Sequence, residues 1–273
     1  MNTIPMARKV HILACLAEGM STRSTERITE THRDTIMRLS ARVGAQCLGF
    51  LDQRMRGLTA KKVQVDEIWT YVQKKEKWLT NGEQGIGDQY VFLALDADTK
   101  LVPCFLVGKR ISDNAHAFMQ DLAWRVQPPF HLTTDGFRPY LPAVEAAFGS
   151  TITYGMLNKS YRTVPGWEGR YSPGEIVHAM PTPIIGRPDP ADISTSYVER
   201  QNLTMRMQMR RFTRLTNGFS KTLAHLKAAL GLHFAHYNFL RVHRTLRMTP
   251  AMAAGLTDHI WTWEELLGAV RAN

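Results

Sequence analysis

The spacing of apolar residues over the first fifty positions is that of α-helices. Apolar side chains recur at intervals of three and four from Met6 to Ala17, and Gly19 ends that run. A second short helix fits positions 22–28, and a third begins near HRDT (32–35), with apolar residues again at helical spacing. The pattern therefore predicts three short helices with a tight turn before the third.

After Gly57 the pattern changes to that of β-strands. KKVQVDEIWTYVQKK (61–75) is largely apolar and rich in β-branched residues, as expected of a central strand that is covered on both faces. YVFLALDADT (90–99) and KLVPCFLVGKR (100–110) follow after short links. These three segments predict an antiparallel meander.

Strands and helices then alternate. A helix over 112–126 precedes the strand FHLTTD (130–135), and the helix YLPAVEAAFG (140–149) precedes the strand STITYGML (150–157). Residues 158–192 are rich in Pro and Gly, which indicates irregular structure. Long helices are predicted at about 193–215 and 220–240.

Three antiparallel strands followed by alternating helices and strands are typical of the ribonuclease-H-like fold. The sequence thus predicts an α/β protein with a mixed five-stranded sheet and flanking helices, preceded by an all-α unit. The three N-terminal helices match a helix-turn-helix, although any three-helix unit would show the same pattern. The expected domains are a helix-turn-helix DNA-binding domain over 1–55, a catalytic domain over 60–245 and a helical tail over 246–273.

Three acidic residues stand where this topology would bring them together. Asp66 lies in the first strand and Asp135 ends the fourth, and these two strands are central neighbours in the expected fold. Glu199 lies on the helix after the last strand. A carboxylate buried alone is costly, whereas a hard cation relieves the repulsion among three. We therefore predict Asp66, Asp135 and Glu199 as catalytic residues and as ligands of two Mg²⁺ (or Mn²⁺) ions, which suit in-line phosphoryl transfer.

The net charge is concentrated in one stretch of the chain. Thirty-four basic and 24 acidic residues give +10, and the segment 200–257 holds ten basic residues and no acid. A localised basic face suits nucleic acid, whereas a merely solvated helix face would normally carry interspersed acids. At helical spacing Asn202, Arg206 and Arg210 share a face with Glu199 and are predicted to follow a DNA backbone. The other predicted DNA contacts are Arg200, His32 and Arg33.

Several blocks of the chain resemble a known enzyme family. VDEIW (65–69), TTDGFRPY (133–140) and SYVERQNLTMR (196–206) resemble the acidic blocks of bacterial DDE transposases, above all the insertion sequence one family. YNFLRVHRTLRMTPAMAAGL (237–256) is similar to their C-terminal block.

The resemblance implies Mg²⁺-dependent cleavage and strand transfer at the ends of a mobile element. It also implies double-stranded DNA (element ends and target) as the partner and a homo-oligomer that is at least a dimer. Asp66, Asp135 and Glu199 would be the metal ligands, Arg206 the basic residue that follows the glutamate, and His243 a neighbour of the active site.

Some alternatives stay open at the level of sequence. Glu67 should point to the opposite strand face in a structural or exposed role, Asp96 is a reserve ligand, and Trp69 should lie packed beneath the site. The chain could also be a non-catalytic DNA-binding regulator, an inactivated relative, or a nuclease without strand transfer. No apolar run is long enough for a membrane span, and the scattered cysteines predict neither disulfides nor zinc. We therefore expect a cytoplasmic, nucleoid-associated protein.

Overall fold

The computed structural model describes residues 4–80, 85–162, 174–213 and 216–271, which form a mixed α/β fold. The helices are α1 (Met6–Ala17), α2 (Thr22–Thr29), α3 (Arg33–Arg54), α4 (Ser112–Arg125), α5 (Tyr140–Phe148), α6 (Ser196–Gln208), α7 (Leu223–Ala235), α8 (Pro250–Ala253) and α9 (Trp263–Ala269), with a π-helical turn at His236–Leu240 and 3₁₀ turns at Glu76–Trp78 and Pro190–Asp192. The strands are β1 (Leu58–Thr59), β2 (Lys62–Val72), β3 (Gly87–Asp96), β4 (Phe105–Gly108), β5 (Val126–Gln127), β6 (His131–Asp135), β7 (Thr153–Arg162) and β8 (Glu175–Ile185).

The main sheet has six strands in the order β4-β3-β2-β6-β7-β8, and β1 and β5 form a separate pair. β2 runs antiparallel to β3 and parallel to β6, which in turn runs parallel to β7. The predicted side-by-side placement of the VQVDEIW and FHLTTD strands is therefore confirmed. Their pairing is short, since it ends at Gln64 opposite Thr133.

The sequence predicted a five-stranded sheet, whereas the main sheet in the described residues has six strands. β8 pairs antiparallel with β7 and lies in the stretch interpreted as irregular; the part of that stretch at 163–173 lies outside the described residues. Pro181 and Pro183 obscured the strand pattern. An edge strand tolerates proline because one side of its backbone needs no ladder partner, and β8 is an edge strand of this sheet.

The N-terminal helices belong to the same continuous core as the sheet. α3 has 22 residues, longer than the short third helix that was predicted, and it packs along α7. The two backbones meet at glycines, because a Cβ on Gly44 would lie 2.0 Å from the carbonyl oxygen of Ala228, and one on Gly231 would lie 2.5 Å from that of Gly44. A larger side chain at either position would push the helices apart.

The C-terminal residues pack back onto this helical layer. The Trp261 ring lies 5.4 Å from that of Phe50 in α3 and 4.8 Å from that of Phe239, measured between centroids. The division into a helix-turn-helix domain, a catalytic domain and a tail stays a prediction. Across the described ranges, no helix combines the length and the apolarity that crossing a bilayer requires.

α6 is shorter than the helix predicted over 193–215. It ends at Gln208, which lies close to Gly19 just after α1. A Cβ on Gly19 would lie 2.9 Å from the carbonyl oxygen of Gln208, so the two backbones approach closely here. The local sequence holds no glycine or proline that would signal this end. Arg210 therefore lies beyond α6, and the prediction that it shares a helical face with Glu199 is wrong. Residues 214–215 lie outside the described residues.

Candidate active site

Two adjacent strands bring acidic side chains together just past the point where their pairing ends. Asp66 follows Gln64 by two residues in β2, and Asp135 is the last residue of β6. One carboxylate oxygen from each of Asp66, Glu67 and Asp135 lies within 4.8 Å of the others. The expected meeting of Asp66 and Asp135 is therefore present, and we call these three residues the acidic cluster.

Glu67 joins this cluster and is not exposed, although its position on the opposite strand face had predicted that it points away from Asp66 in a structural or exposed role. Its side chain is 3% exposed. Its carboxylate accepts a hydrogen bond from the Tyr140 hydroxyl of α5 and one from Arg110 Nε at 3.1 Å. The Cβ atoms of Asp66 and Glu67 start from opposite faces of β2, as strand periodicity requires. Because β2 has no β6 partner beyond Gln64, side chains from both faces can reach the same gap.

Arg110 brings a positive charge into the acidic cluster, and no sequence pattern had pointed to it. Its guanidinium bridges Glu67 and Asp135, with 3.1 Å to an oxygen of each. It lies 4.0 Å from the centroid of the Phe137 ring, so the ring stacks beneath the charge. The available signal was only that Lys-Arg follows β4, which is separated from the strand of Asp135, β6, by the two strands β3 and β2.

Burial and mutual repulsion make the acidic cluster hard to ionise. Burial, then the charges of Asp135 and Glu67, raises the pKa of Asp66 to about 7. Burial and Asp135 raise the pKa of Glu67 to about 7, against the opposing hydrogen bond from Tyr140. Burial also raises the pKa of Asp135. Additional positive charge would therefore stabilise the ionised cluster.

α6 is attached to β2 by polar side chains. Gln64 Oε1 accepts hydrogen bonds from the backbone N–H groups of Tyr197 and Val198, at 2.9 and 3.1 Å, and so satisfies donors at the start of the helix. Asn202 Nδ2 donates to Asp66 Oδ2 at 2.8 Å. Asn202, predicted to contact DNA, is 5% exposed and thus supports Asp66 from within the site.

Glu199 lies on the first turn of α6, next to the acidic cluster but outside it. Its carboxylate accepts hydrogen bonds from Lys159 Nζ of β7 and from Thr195 Oγ1, the latter at 2.6 Å. Its side chain is 43% exposed. Its charge is one of the smaller contributions that raise the pKa of Asp66 and of Asp135, which places it within electrostatic reach of both. Its role as a third ligand stays a prediction.

The other predicted DNA contacts are spread over the surface. Arg200 is exposed on α6, Arg206 is half-buried near its end, and Arg210 is exposed in the turn that follows. His32 and Arg33 are exposed at the start of α3, where the backbone N–H of Arg33 donates to Glu26 at 2.9 Å. Their binding roles stay predictions.

Two further candidates, His243 and Asp96, are not members of the acidic cluster. Burial, and then the positive charges of Lys100 and Arg241, lower the pKa of His243. Asp96 accepts hydrogen bonds from the backbone N–H of Asp98 at 3.0 Å and from Thr99 Oγ1 at 2.5 Å. Asp96 therefore shapes the β3–β4 turn, and an active-site role for His243 stays a prediction.

The donor set of the acidic cluster fits a hard divalent cation. Its candidate ligand atoms are all carboxylate oxygens, the type that Mg²⁺ and Mn²⁺ prefer over nitrogen or sulfur. Burial, and then the neighbouring carboxylates, raise the pKa values of Asp66 and Glu67 although Arg110 lies beside Glu67, so a further cation would favour the ionised forms. The cluster is thus chemically suited to a metal ion.

No protein-family model and no curated protein sequence matches this chain. One solved structure with a similar arrangement is the piggyBac transposase synaptic complex with hairpin DNA. It is 9% identical with a TM-score of 0.39, and the alignment covers 99% of this chain and 72% of that one. A TM-score of this size does not indicate a shared activity, and the resemblance to the insertion sequence one family rests on its motifs alone.

Proposed function

We propose that the chain is a DDE transposase with a ribonuclease-H-like catalytic domain, which cleaves the ends of an insertion sequence and transfers them to target DNA. The observation that carries the proposal is the meeting of Asp66 and Asp135 on adjacent parallel strands at the centre of the sheet. An apolar central strand gains nothing from a buried carboxylate unless a ligand compensates for it. The order of the strands and the motifs around both residues support the same assignment.

In this proposal Asp66 and Asp135 hold the metal and Glu199 completes the ligand set. When bound, Mg²⁺ supplies the activation of a water or 3′-hydroxyl nucleophile and the stabilisation of the leaving oxygen. Asn202 orients Asp66 through its hydrogen bond. Glu67 holds Arg110 beside Asp135, where its remaining N–H groups can contact a phosphate oxygen.

The positive charge of the segment 200–257 supports DNA as the partner. The basic segment 200–257 begins one residue after Glu199, so the ten basic side chains of this segment follow the site directly along the chain. Arg200, Arg206 and Arg210 would bind the phosphate backbone and position the duplex without reading its sequence. The N-terminal helices, with His32 and Arg33 at the start of α3, would recognise the element ends. Action at two ends calls for at least a dimer.

The test is a strand-transfer assay with labelled element ends and Mg²⁺. Asp66→Asn and Asp135→Asn should abolish cleavage and joining while duplex binding persists. Asp113→Asn, at an exposed position in the first turn of α4, is the matched control and should retain activity. Wild-type cleavage by either active-site variant would contradict the proposal. Binding without any metal-dependent cleavage by the wild type would favour the regulator, and cleavage without joined products would favour a nuclease.

A further inference from the structure

The strand that carries the acidic cluster continues into a row of aromatic side chains. Trp69 and Tyr71 follow Glu67 at intervals of two residues in β2, so they start from the same face. Their ring centroids are 5.7 Å apart. Phe219 stacks on Tyr71 with 5.3 Å between centroids and 28° between planes. We call Trp69, Tyr71 and Phe219 the aromatic platform.

The platform is open to solvent at its end nearest the acids. Trp69 is 39% exposed, although it had been expected to pack beneath the site, and it lies in a strand whose other residues are mostly buried. Its position is fixed by the pairing of β2 with β3, in which it lies opposite Tyr90. A large indole on a rigid strand therefore presents a fixed surface with little conformational freedom to lose on binding.

A cation lies over these rings. Lys75 Nζ is 5.5 Å from the centroid of Trp69 and 6.0 Å from that of Tyr71. Lys75 is exposed, at the end of a short link after β2. An ammonium on a flexible stem can keep a cation–π contact or turn to an anion, so the platform combines ring faces with a charge that binds phosphate.

The separation between Trp69 and the acidic cluster matches the spacing between neighbouring nucleotides in a DNA strand. A strand rises about 3.3 Å per residue, which puts Trp69 roughly 7 Å from Glu67 and roughly 10 Å from Asp66 along β2. The backbone of an extended single strand advances by a similar amount from one nucleotide to the next. A DNA strand with a phosphate at the acidic cluster would thus bring an adjacent base to the platform.

We propose that the aromatic platform binds unpaired bases of the DNA strand that enters the acidic site, with Lys75 at the adjoining phosphate. Aromatic rings stack on bases of any sequence, but only where the face of a base is free. Within an intact duplex both faces of each base are covered by its neighbours. The ligand class is therefore a locally unpaired strand next to the scissile bond, and this inference rests on the proposed function.

The test compares two oligonucleotides of the same element-end sequence, by fluorescence anisotropy without divalent metal so that no cleavage occurs. One is a full duplex, and the other carries two unpaired nucleotides at the cleavage point. Wild-type protein should bind the second more tightly. Trp69→Leu should weaken binding to it by roughly tenfold, as expected for one lost base–aromatic stack, and leave duplex binding within about twofold.

The chain offers matched variants for this test. Trp69→Phe keeps a ring and should retain most of the preference, whereas Trp124→Leu removes an indole that is 65% exposed on α4 and should change nothing. Lys75→Ala, at an exposed position, should weaken binding to the unpaired substrate about threefold, through loss of one phosphate contact. This variant keeps the inference testable if Trp69→Leu does not fold.

The outcomes separate the inference from the function on which it rests. Wild-type binding to the duplex without preference for unpaired nucleotides, or no selective loss in Trp69→Leu and Lys75→Ala, would overturn the platform alone. Conversion of a dimer to a monomer by Trp69→Leu, with both substrates affected equally, would show that Trp69 contacts protein and would also overturn it. Absence of wild-type binding to either substrate would contradict the proposed function itself.

Discussion

The Asp66–Asp135 pair and Glu199 are acids of one candidate site, yet they are held in different ways. Asp66 lies on β2 and pairs with Leu93 of β3, Asp135 lies on β6 and pairs with Leu157 of β7, and burial raises the pKa of both carboxyl groups. Glu199 stands on the first turn of α6, 43% exposed, and binds Lys159 and Thr195. The sheet sets the positions of Asp66 and Asp135, whereas the Glu199 carboxylate is held by its contacts with the Lys159 and Thr195 side chains.

Asp66 and Asp135 therefore form a preformed part of the site, whereas the Glu199 carboxylate can change its position. Moving Asp66 or Asp135 would require a shift of the central strands, against the whole core. Moving the Glu199 carboxylate requires only rotation about side-chain bonds and loss of an ion pair with Lys159, which costs little where one partner is exposed. The pair should therefore dominate metal binding, and Glu199 should contribute after releasing Lys159.

The largest effect is expected from removal of either member of the pair. Asp66→Asn or Asp135→Asn should lower the rate of strand cleavage at least about a thousandfold, because metal stabilisation of the transition state is worth several kcal/mol and about 1.4 kcal/mol corresponds to a factor of ten. Single-turnover cleavage of a labelled element end measures this. Loss of less than tenfold in either variant would break the assignment of the pair.

Glu199 and Glu67 provide the sharper comparison. Glu199→Gln should lower cleavage by roughly a hundredfold or more, as loss of a metal ligand predicts, whereas Glu67→Gln should lower it by about tenfold through a misplaced Arg110. The Mg²⁺ concentration at half-maximal rate should rise in Glu199→Gln and stay near wild type in Glu67→Gln. The reverse order would make Glu67 the third ligand.

A stability measurement separates the buried pair from the exposed glutamate. The pKa of Asp66 is about 7 in the fold and roughly 4 in an unfolded chain, so without metal its ionisation costs stability as the pH rises between these values. Asp66→Asn removes this penalty. Its free energy of unfolding at pH 8 should exceed the wild-type value by up to about 4 kcal/mol, because the two pKa values differ by about 3 and each unit corresponds to about 1.4 kcal/mol, and the difference should vanish near pH 4.

The control for this experiment is Glu199→Gln, which should follow the wild-type pH profile closely. Added Mg²⁺ should stabilise wild-type protein at pH 8 and leave Asp66→Asn almost unchanged. Chemical denaturation at several pH values gives the comparison. Parallel profiles for wild type and Asp66→Asn would contradict the burial of a charged Asp66.

The smallest effect concerns Arg210, an exposed residue of the basic segment 200–257. Arg210→Ala should weaken binding to all duplex sequences alike, by a few-fold, and reduce the slope of log affinity against log salt by about one. Arg210→Lys keeps the charge and should leave that slope unchanged. A loss confined to one sequence would show that Arg210 reads bases instead.

The strands of the site were predictable because their signals are local. VQVDEIW and FHLTTD are short segments rich in β-branched and aromatic residues, and the order of elements was enough to make them neighbours. The acids on them followed from the cost of burying a lone carboxylate. In the same way, helices α4, α5 and α7 lie close to their predicted positions.

What the sequence did not reveal depends on contacts between distant segments. Gln64 satisfies the start of α6 across 133 positions, and Arg110 reaches Asp135 from the end of β4. Strand periodicity placed Glu67 on the face opposite Asp66, but periodicity gives only the direction of the Cβ atom and not the position of the carboxylate. β8 was hidden because prolines weaken a strand pattern without excluding an edge strand.

The most direct measurement is a crystal structure with Mn²⁺ and its anomalous signal. We expect a peak bonded to carboxylate oxygens of both Asp66 and Asp135 at roughly 2.1–2.2 Å, with Arg110 moved off Asp135 and Glu199 turned toward the ion. A site without anomalous signal at saturating Mn²⁺, with Arg110 still bridging Glu67 and Asp135, would contradict the account.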